Sequence, residues 1–600
     1  RLVIDVTSAN SDVVYVVSSD SDNEYQGIFK STDNGDTFSE KANTVNIFEI
    51  TQTWFDLALA VSDTDEDEIY VGVLNIWKST DGGDSFTQTN QWNVHNVSYT
   101  HADIHLLRFF NGELYAGTDG GFFKSNDGAT TFTDLTVGME IGQFYRISVS
   151  QQTSGKIAGG LQDNGGFGFT NNQWNHYHGG DGMEGVIDPN NDNLYYGFMQ
   201  FGQNLFVSSN SGLGGTQAFS GPENGNWITP LSINRNSEVY AGYSRVYQFD
   251  GATWTAVTAL GFGANIDVLE IDTGNPDNMY VAINKTLRKS TDRGVSFTNI
   301  ETFSTNITSV EVNNNDSNVV YVTTAGTNGK VYMSIDGGDT YVDITGSLPN
   351  VTKNIIKHHE ENLLNTLYLG TSIGIYHYDD STTTWETFEN NLPNTSVTDL
   401  AISLIDNNIT ASTYGRGVWR SDLPTQQLAD VDVKLIRIEN PVFDNIICGN
   451  ASPTILVKNN GLNTITSIDI TYTIDDGSDI SFTWNGSLAS TETTTIDLPT
   501  LNLSLGAHDL DISVSVTNDT FPNNNDASTN FYSNTNGVSE IINTFEAEDD
   551  DLITFNEGGG TPMWERGVPT GTQLNTATSG TSVYGTVLDG NHPDLTKAFL

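Results

Sequence analysis

Histidines and acids gather in a few short stretches of this chain. THADIH, residues 100–105, sets His101, Asp103 and His105 at alternate positions, TDGG adds Asp119, LQDNGG carries Asp163 and Asn164, and HGGDGME carries His178, Asp181 and Glu184. In an extended segment alternate side chains point to one side, so His101, Asp103 and His105 are expected to ligate one metal ion, with Asp163 or Asp181 completing the shell. A second chemistry uses carboxyl groups alone. Glycoside hydrolysis needs two of them about 5 to 10 Å apart across a sugar cleft. Asp56, Asp103, Asp163, Asp181 and Glu184 are the catalytic candidates, with Trp54, Trp174 and Trp227 as stacking platforms. A third use is recognition without catalysis, for which Trp54, His101, His105, Asn164, His178 and Trp227 are the candidate ligand contacts. Against all three stands a structural role, in which a His and Asp pair between neighbouring sheets satisfies buried loop backbone. Spacing on one strand is a far weaker signal than paired Cys-x-x-Cys ligands.

The elements that must position these residues are announced by a repeat. KSTDNGDTF (Lys30 to Phe38), KSTDGGDSF (Lys78 to Phe86) and KSTDRGVSF (Lys289 to Phe297) are near-copies. Aligned on their serines, Ser31, Ser79 and Ser125 are 48 and 46 residues apart, and Ser290, Ser334, Tyr378 and Ser421 are 44, 44 and 43 apart. A period in the forties is that of a four-stranded propeller blade. Strand patterns between Ser125 and Ser290 supply further units, so ten fit between Arg1 and Leu423, the tenth short of its outer strand. In the repeated box, Ser-x-Asp-x-Gly-x-Thr/Ser-aromatic, the aspartate accepts backbone N–H bonds inside a tight turn and the glycine permits positive φ. Asp33, Asp81, Asp127, Asp292 and Asp336 hold that place and read as scaffold. In a propeller, the loop into each innermost strand and the turn between its second and third strands emerge on one face. The candidate residues above fall in such loops.

Composition narrows the class. The 36 % apolar content, the 58 glycines and the lack of a sustained 3.6-residue period make an all-β chain, and 600 residues make more than one domain. With 75 acidic against 24 basic residues the formal charge is −51, a surface that repels phosphate backbones and excludes nucleic acid as a partner. There is no run of 18 apolar residues for a transmembrane segment, and the lone Cys448 allows no internal disulfide framework. Serine-nucleophile elbows, zincin helices and phosphate loops are absent from the sequence. The first residues, RLVIDVTS, and the last, LTKAFL, read as strands, so a longer precursor with an upstream signal peptide is expected.

The box is that of the Asp-box, or BNR repeat, of sialidases, sortilin-type receptors and two-propeller xyloglucan hydrolases, which it resembles fully at Ser79, Asp81, Gly83, Ser85 and Phe86. The resemblance implies a propeller and says little of activity. A sialidase would need three arginines and a Tyr/Glu pair; Arg146, Arg245 and Arg416 are candidates by blade position, but the arginine context expected near the start of that fold does not occur. WFDLALAVS, HADIH, GGLQDNG, HGGDGME and NWITPL further resemble a group of large secreted Bacteroidetes proteins that combine such propellers with β-sandwich modules and a C-terminal sorting domain for type nine secretion.

These readings divide the chain into a propeller region over 1–424, forming one large ring or parts of two, an immunoglobulin-like adhesion-type sandwich over 429–533, and the beginning of a MAM-like jelly roll over 534–600. The jelly-roll resemblance rests on Trp564, Gly567, Ala577, Gly580 and Tyr584, and Glu546, Glu548, Asp549 and Asp550 there suit calcium or form a solvated acidic turn. The expected function is a secreted or outer-surface binding or adhesion protein. Its propeller loop face would meet an extracellular glycan or surface protein, and export would run through a C-terminal sorting domain beyond Leu600. A polysaccharide-active glycoside hydrolase and a purely structural stalk are the alternatives.

Overall fold

The computed structural model describes residues 1–534 apart from 426, 443–444 and 476, with short pieces at 555–556, 565–568, 583–585 and 598–599. The jelly-roll expectation and its acidic calcium ligands therefore fall almost wholly outside the described residues. The chain divides into two compact units, Arg1–Ile141 and Gly142–Leu600.

Blades form because each unit of the repeat supplies strands of different burial. The second strands are unbroken apolar runs, such as VYVVSS (Val14–Ser19), IYVG (Ile69–Gly72), MYVAI (Met279–Ile283) and LYLGT (Leu367–Thr371), and they are buried on both faces by adjacent blades. Fourth strands such as Ser39–Glu40 and Val342–Asp343 are short and exposed. The recurring tyrosine of the second strand, Tyr15, Tyr70 or Tyr280, is fully buried and sits opposite the lysine that opens the box, Lys30, Lys78 or Lys289. Each lysine ammonium lies 5.2 to 5.4 Å from its tyrosine ring centroid, a contact worth about 0.5 to 2 kcal/mol. From there it reaches the following blade: Lys30 pairs with Asp67, Lys78 donates to the Gly128 carbonyl and Lys289 to the Gly337 carbonyl. The nine repeated residues thus fasten one blade to the next.

The box turns lie between third and fourth strands. Ser31 Oγ donates to Asp33 Oδ1 at 2.6 Å, and Asp33 accepts from the backbone N–H of Thr37 at 2.9 Å and from its hydroxyl at 2.6 Å. Asp81, Asp127, Asp292 and Asp336 repeat the pattern. Gly35, Gly83, Gly294 and Gly338 stand at positive φ, but Ala129 takes that place in the third copy at φ 65°. A copy that the sequence pattern misses lies at Ser208, Asn210 and Gly212, where asparagine replaces the aspartate.

The first unit contains three four-stranded sheets. In the second unit seven inner strands follow one another around a ring: Phe144–Val149, Gly182–Ile187, Leu231–Ile233, Val268–Ile271, Ile307–Val312, Lys353–His358 and Val397–Ser403. The last packs on the first, and Thr398 Oγ1 donates to the Phe144 carbonyl at 2.7 Å while Ile147 N–H donates to Asp399 Oδ2 at 3.0 Å. The ten blades therefore do not make one ring: seven close on themselves, the last with three strands.

After the ring, a sandwich pairs a three-stranded sheet with a five-stranded one around Ile455, Val457, Ile468, Leu510 and Phe531. Its loops bond to the ring. Glu361, on a ring loop, accepts from Lys434 Nζ at 2.7 Å and from the amides of Asn460 and Asn524 at 3.1 Å each. The partly buried Asn523 also donates to the Asn314 carbonyl of the ring at 2.8 Å.

Candidate functional site

In the first unit the site is built on the loops that lead into its second and third blades. A tight turn, Phe55 N–H to Gln52 carbonyl at 2.8 Å, turns Trp54 and Phe55 outward while Asp56 turns in. Arg1 clamps that turn, donating to the carbonyls of Thr53 and Phe55 at 2.9 Å each. Trp54 is 70 % exposed and Phe55 44 %. The Gln52 amide nitrogen donates to Asp56 Oδ2 at 2.9 Å and also to Asp103 Oδ1, so one amide joins two carboxylates. Asp56 has no solvent exposure, and its Oδ1 has no hydrogen-bond partner among the described residues. Burial, reinforced by the charge of Asp103, pushes the Asp56 carboxyl up to about 6. Burial likewise raises Asp103, with Asp119 adding to it. His105 Nε2 lies 2.6 Å from Asp119 Oδ1, a contact that raises the imidazole, and the Phe55 ring meets His105 edge-on at 4.7 Å.

The alternation expected of His101, Asp103 and His105 does not survive folding. Asp103 has φ 59° and the strand begins only at Ile104, so the segment is not extended where the common orientation is needed. His101 lies over Gly120, where any Cβ would come within 2.2 Å of its ring. Among the described residues no three His, Cys, Asp or Glu side chains come together as a metal shell.

In the second unit Asp163 (φ 58°) and Asn164 occupy the turn after the strand Ile157–Leu161, and Asp181 precedes Gly182–Ile187. The Gln162 amide nitrogen donates to Asp163 Oδ1 at 2.8 Å and Asp181 Oδ1 at 2.9 Å, and Asp163 N–H donates to Asp181 Oδ1 at 2.7 Å. The Gln162 carbonyl oxygen accepts from the hydroxyls of Tyr145 and Tyr414, and Trp227 Nε1 donates to Tyr145 Oη at 3.0 Å. Phe201, at φ 60°, meets Trp227 edge-on at 5.1 Å. A tied aromatic band thus spans loops of the ring.

Other candidates lie elsewhere. His178 is buried, stacked on Phe206 at 4.5 Å, and burial lowers it to about 4, so it is neutral core rather than a loop-face contact. Trp174 packs between Phe144 and Phe169. Glu184 points into the ring channel, 3.4 Å from Arg146 Nε, and burial pushes it up to about 8. Arg146 is held there by the carbonyls of Tyr145 and Thr398, while Arg416 is exposed and bonds the Gly415 carbonyl. Sequence reasoning missed Gln52, Phe55, Gln162, Tyr145, Tyr414 and the channel residues Glu270, Lys357 and Asp399. Glu270 and Asp399 had a readable signal, a single charge inside an otherwise uncharged inner strand.

No family model matches this chain, and no curated protein matches it. Solved structures similar to it include the GH74 enzyme of Niastella koreensis (15 % identity, 70 % of this chain and 91 % of that one, TM-score 0.26). Two others are the WD40 repeats of RRP9 (9 %, 47 % and 95 %, TM-score 0.38) and PorZ, a surface component of the type-IX secretion system of Porphyromonas gingivalis (12 %, 87 % and 74 %, TM-score 0.43). Among the described residues no helix is long and apolar enough to cross a membrane.

Proposed function

We propose that this chain is a secreted or cell-surface binding protein of the BNR propeller type, exported by type nine secretion, whose loop face recognises an extracellular glycan. The reading rests on the turn at Trp54. An indole that is 70 % exposed beside Phe55, clamped by Arg1 and adjoining the Asp103 and His105–Asp119 polar groups, offers a stacking face next to acceptors for sugar hydroxyls. The test is affinity electrophoresis against a panel of soluble plant and microbial polysaccharides, with Trp54→Ala as the comparison. Retardation by one class of glycan that the variant loses supports the reading; no retardation by any of them sinks it.

Hydrolysis is the second reading, favoured by Asp163 and Asp181, which are close enough for one amide nitrogen to bridge them and lie near the 39 % exposed Trp227. Opposing it, an Oδ1 of each is already engaged by that bridge, and in the first unit Asp56 is sealed from any substrate. Reducing-sugar release from a retained glycan, abolished by Asp181→Asn, would establish hydrolysis. Retention without release leaves binding as the function.

A further inference from the structure

We infer that the three-bladed first unit is a docking surface for a second copy of this chain, the third blade of each copy packing on the first blade of the other to close a six-bladed ring. Of the ten inner strands, only the two at the ends of this unit have exposed residues. Ala58–Val61 of the middle blade and the seven inner strands of the second unit have none, whereas Leu2–Val6 has three and Ile104–Phe110 has four.

What covers such a strand is visible inside the unit. Leu57, Leu59 and Val61 precede Tyr70 by the same steps as Leu2, Ile4 and Val6 precede Tyr15. The first three share a core cluster with Tyr15 and Val17 of the first blade and are 2, 4 and 2 % exposed. Their counterparts are 64, 62 and 60 % exposed, on the sheet face opposite the one that Val3 and Tyr15 turn to the second blade. The first blade thus has the kind of front that takes a preceding blade, and its unit supplies none.

The third blade has the matching rear. One face packs Leu107, Leu114, Ala116 and Phe123 against the second blade. The other carries Leu106 and Phe110, 45 and 64 % exposed, together with Arg108, Tyr115 and Lys124. Tyr115 and Lys124 stand opposite each other as Tyr70 and Lys78 do, the pair that fastens a blade to the one after it. Lys78 and Lys289 reach the carbonyls of Gly128 and Gly337, each the residue after the box aspartate of the following blade. Lys124 instead folds onto Glu113 of its own sheet at 3.0 Å, and Tyr115, unlike the fully buried Tyr70, stays partly exposed. The fastener is present and the unit has no blade for it to hold.

A second copy satisfies both ends at once. Its first blade offers Leu2, Ile4 and Val6 to Leu106 and Phe110, and offers Lys124 the carbonyl of Asn34, the residue after the box aspartate Asp33. Turned about a two-fold axis, its third blade meets the first blade of the original copy in the same way. All four end faces are then covered, and the assembly closes instead of growing into a filament. A single added blade would cover one face and present another, whereas three and three make six, within the range of about four to eight blades that propellers use.

The test is sedimentation velocity on the full chain, where a species of twice the chain mass is expected at about 10 μM. Ile4→Glu and Phe110→Glu each set a charge in a face that the second copy covers, and each should raise the dissociation constant about 100-fold or more. Lys124→Ala should raise it about tenfold. Ile335→Glu, at an isoleucine of the second unit that is just as exposed, should leave the dimer intact. Mixing Ile4→Glu chains with Phe110→Glu chains leaves one unaltered contact, third blade of the former on first blade of the latter. That mixture should associate where neither variant does alone, a rescue that misfolded variants would not give. Monomer alone up to about 0.1 mM would overturn the assignment and give the two faces to blades of another origin. A dimer that Ile4→Glu and Phe110→Glu leave intact, or no rescue on mixing, would overturn it as well. None of these outcomes bears on the glycan reading of Trp54.

Discussion

The loop site of the three-bladed unit and that of the ring both rest on a glutamine whose amide nitrogen joins two aspartates, and they differ in what surrounds that bridge. Around Gln52 one acid is sealed from water and the aromatics stand free, Trp54 at 70 % exposure. Around Gln162 both acids are partly open, and the aromatics are tied to one another through Tyr145, Tyr414 and Trp227. The same device therefore does two jobs. In the first unit it anchors a turn so that the turn's apolar side chains stay available; in the ring it joins loops of several blades into one surface. Free rings suit capture of a ligand, whereas tied rings suit a fixed wall.

Paired tryptophan variants give the largest contrast. Trp54→Ala should lower glycan affinity about 10- to 100-fold, the loss of one stacked aromatic, and leave the melting temperature almost unmoved, since the indole is mostly exposed. Trp227→Ala removes an indole bonded to Tyr145 and packed on Phe201, so it should cost about 1 to 3 kcal/mol of stability, below the range for a fully buried tryptophan. Calorimetric melts beside affinity electrophoresis separate the two. If both variants lose affinity and neither loses stability, the distinction between free and tied aromatics collapses.

Replacing the bridging glutamines sharpens the contrast. Gln52→Leu leaves Asp56 buried without its donor and should cost about 1 to 3 kcal/mol. Gln162→Leu should cost less, because water can reach Asp163 and Asp181 and the Asp163 N–H still donates to Asp181. Chemical denaturation of the two variants checks the order, and an equal loss would mean that burial of Asp56 has no energetic weight.

How much of this could be read beforehand follows from how local each feature is. The blades were legible because a box period and the second-strand runs, Val14–Ser19 or Met279–Ile283, are written within a few dozen residues. The three-plus-seven division was not, since ring closure depends on Thr398 meeting Phe144, residues of two inner strands far apart in the chain. At the sites, acids and tryptophans stood out by type. The glutamines that organise them did not, because Gln52 and Gln162 look like ordinary polar loop residues until two carboxylates converge on one amide. The alternation of His101, Asp103 and His105 was lost to a single backbone angle, the positive φ of Asp103, which no spacing argument contains.

The smallest effect concerns protons. Asp56 is pushed from 3.8 to about 6 by burial, so between those values the folded chain holds a proton that the unfolded chain has released. Its contribution to stability is therefore greatest below about pH 4, declines as pH rises through about 6, and is flat above. Asp81 behaves in the opposite way: its bonds to Ser85, Ser79 and backbone N–H groups lower it to about 2, so its contribution is present above the ordinary carboxylate value and is lost as pH falls. The two slopes oppose each other within one unit, and Asp56→Asn removes only the first. The amide keeps an acceptor for Gln52 and carries no charge into the buried site. The variant should therefore gain about 1 kcal/mol on the wild type at about pH 7.5 and nothing at about pH 3. Melting curves at the two pH values decide it, and a gain of equal size at both would show that the benefit comes from packing rather than from the buried charge.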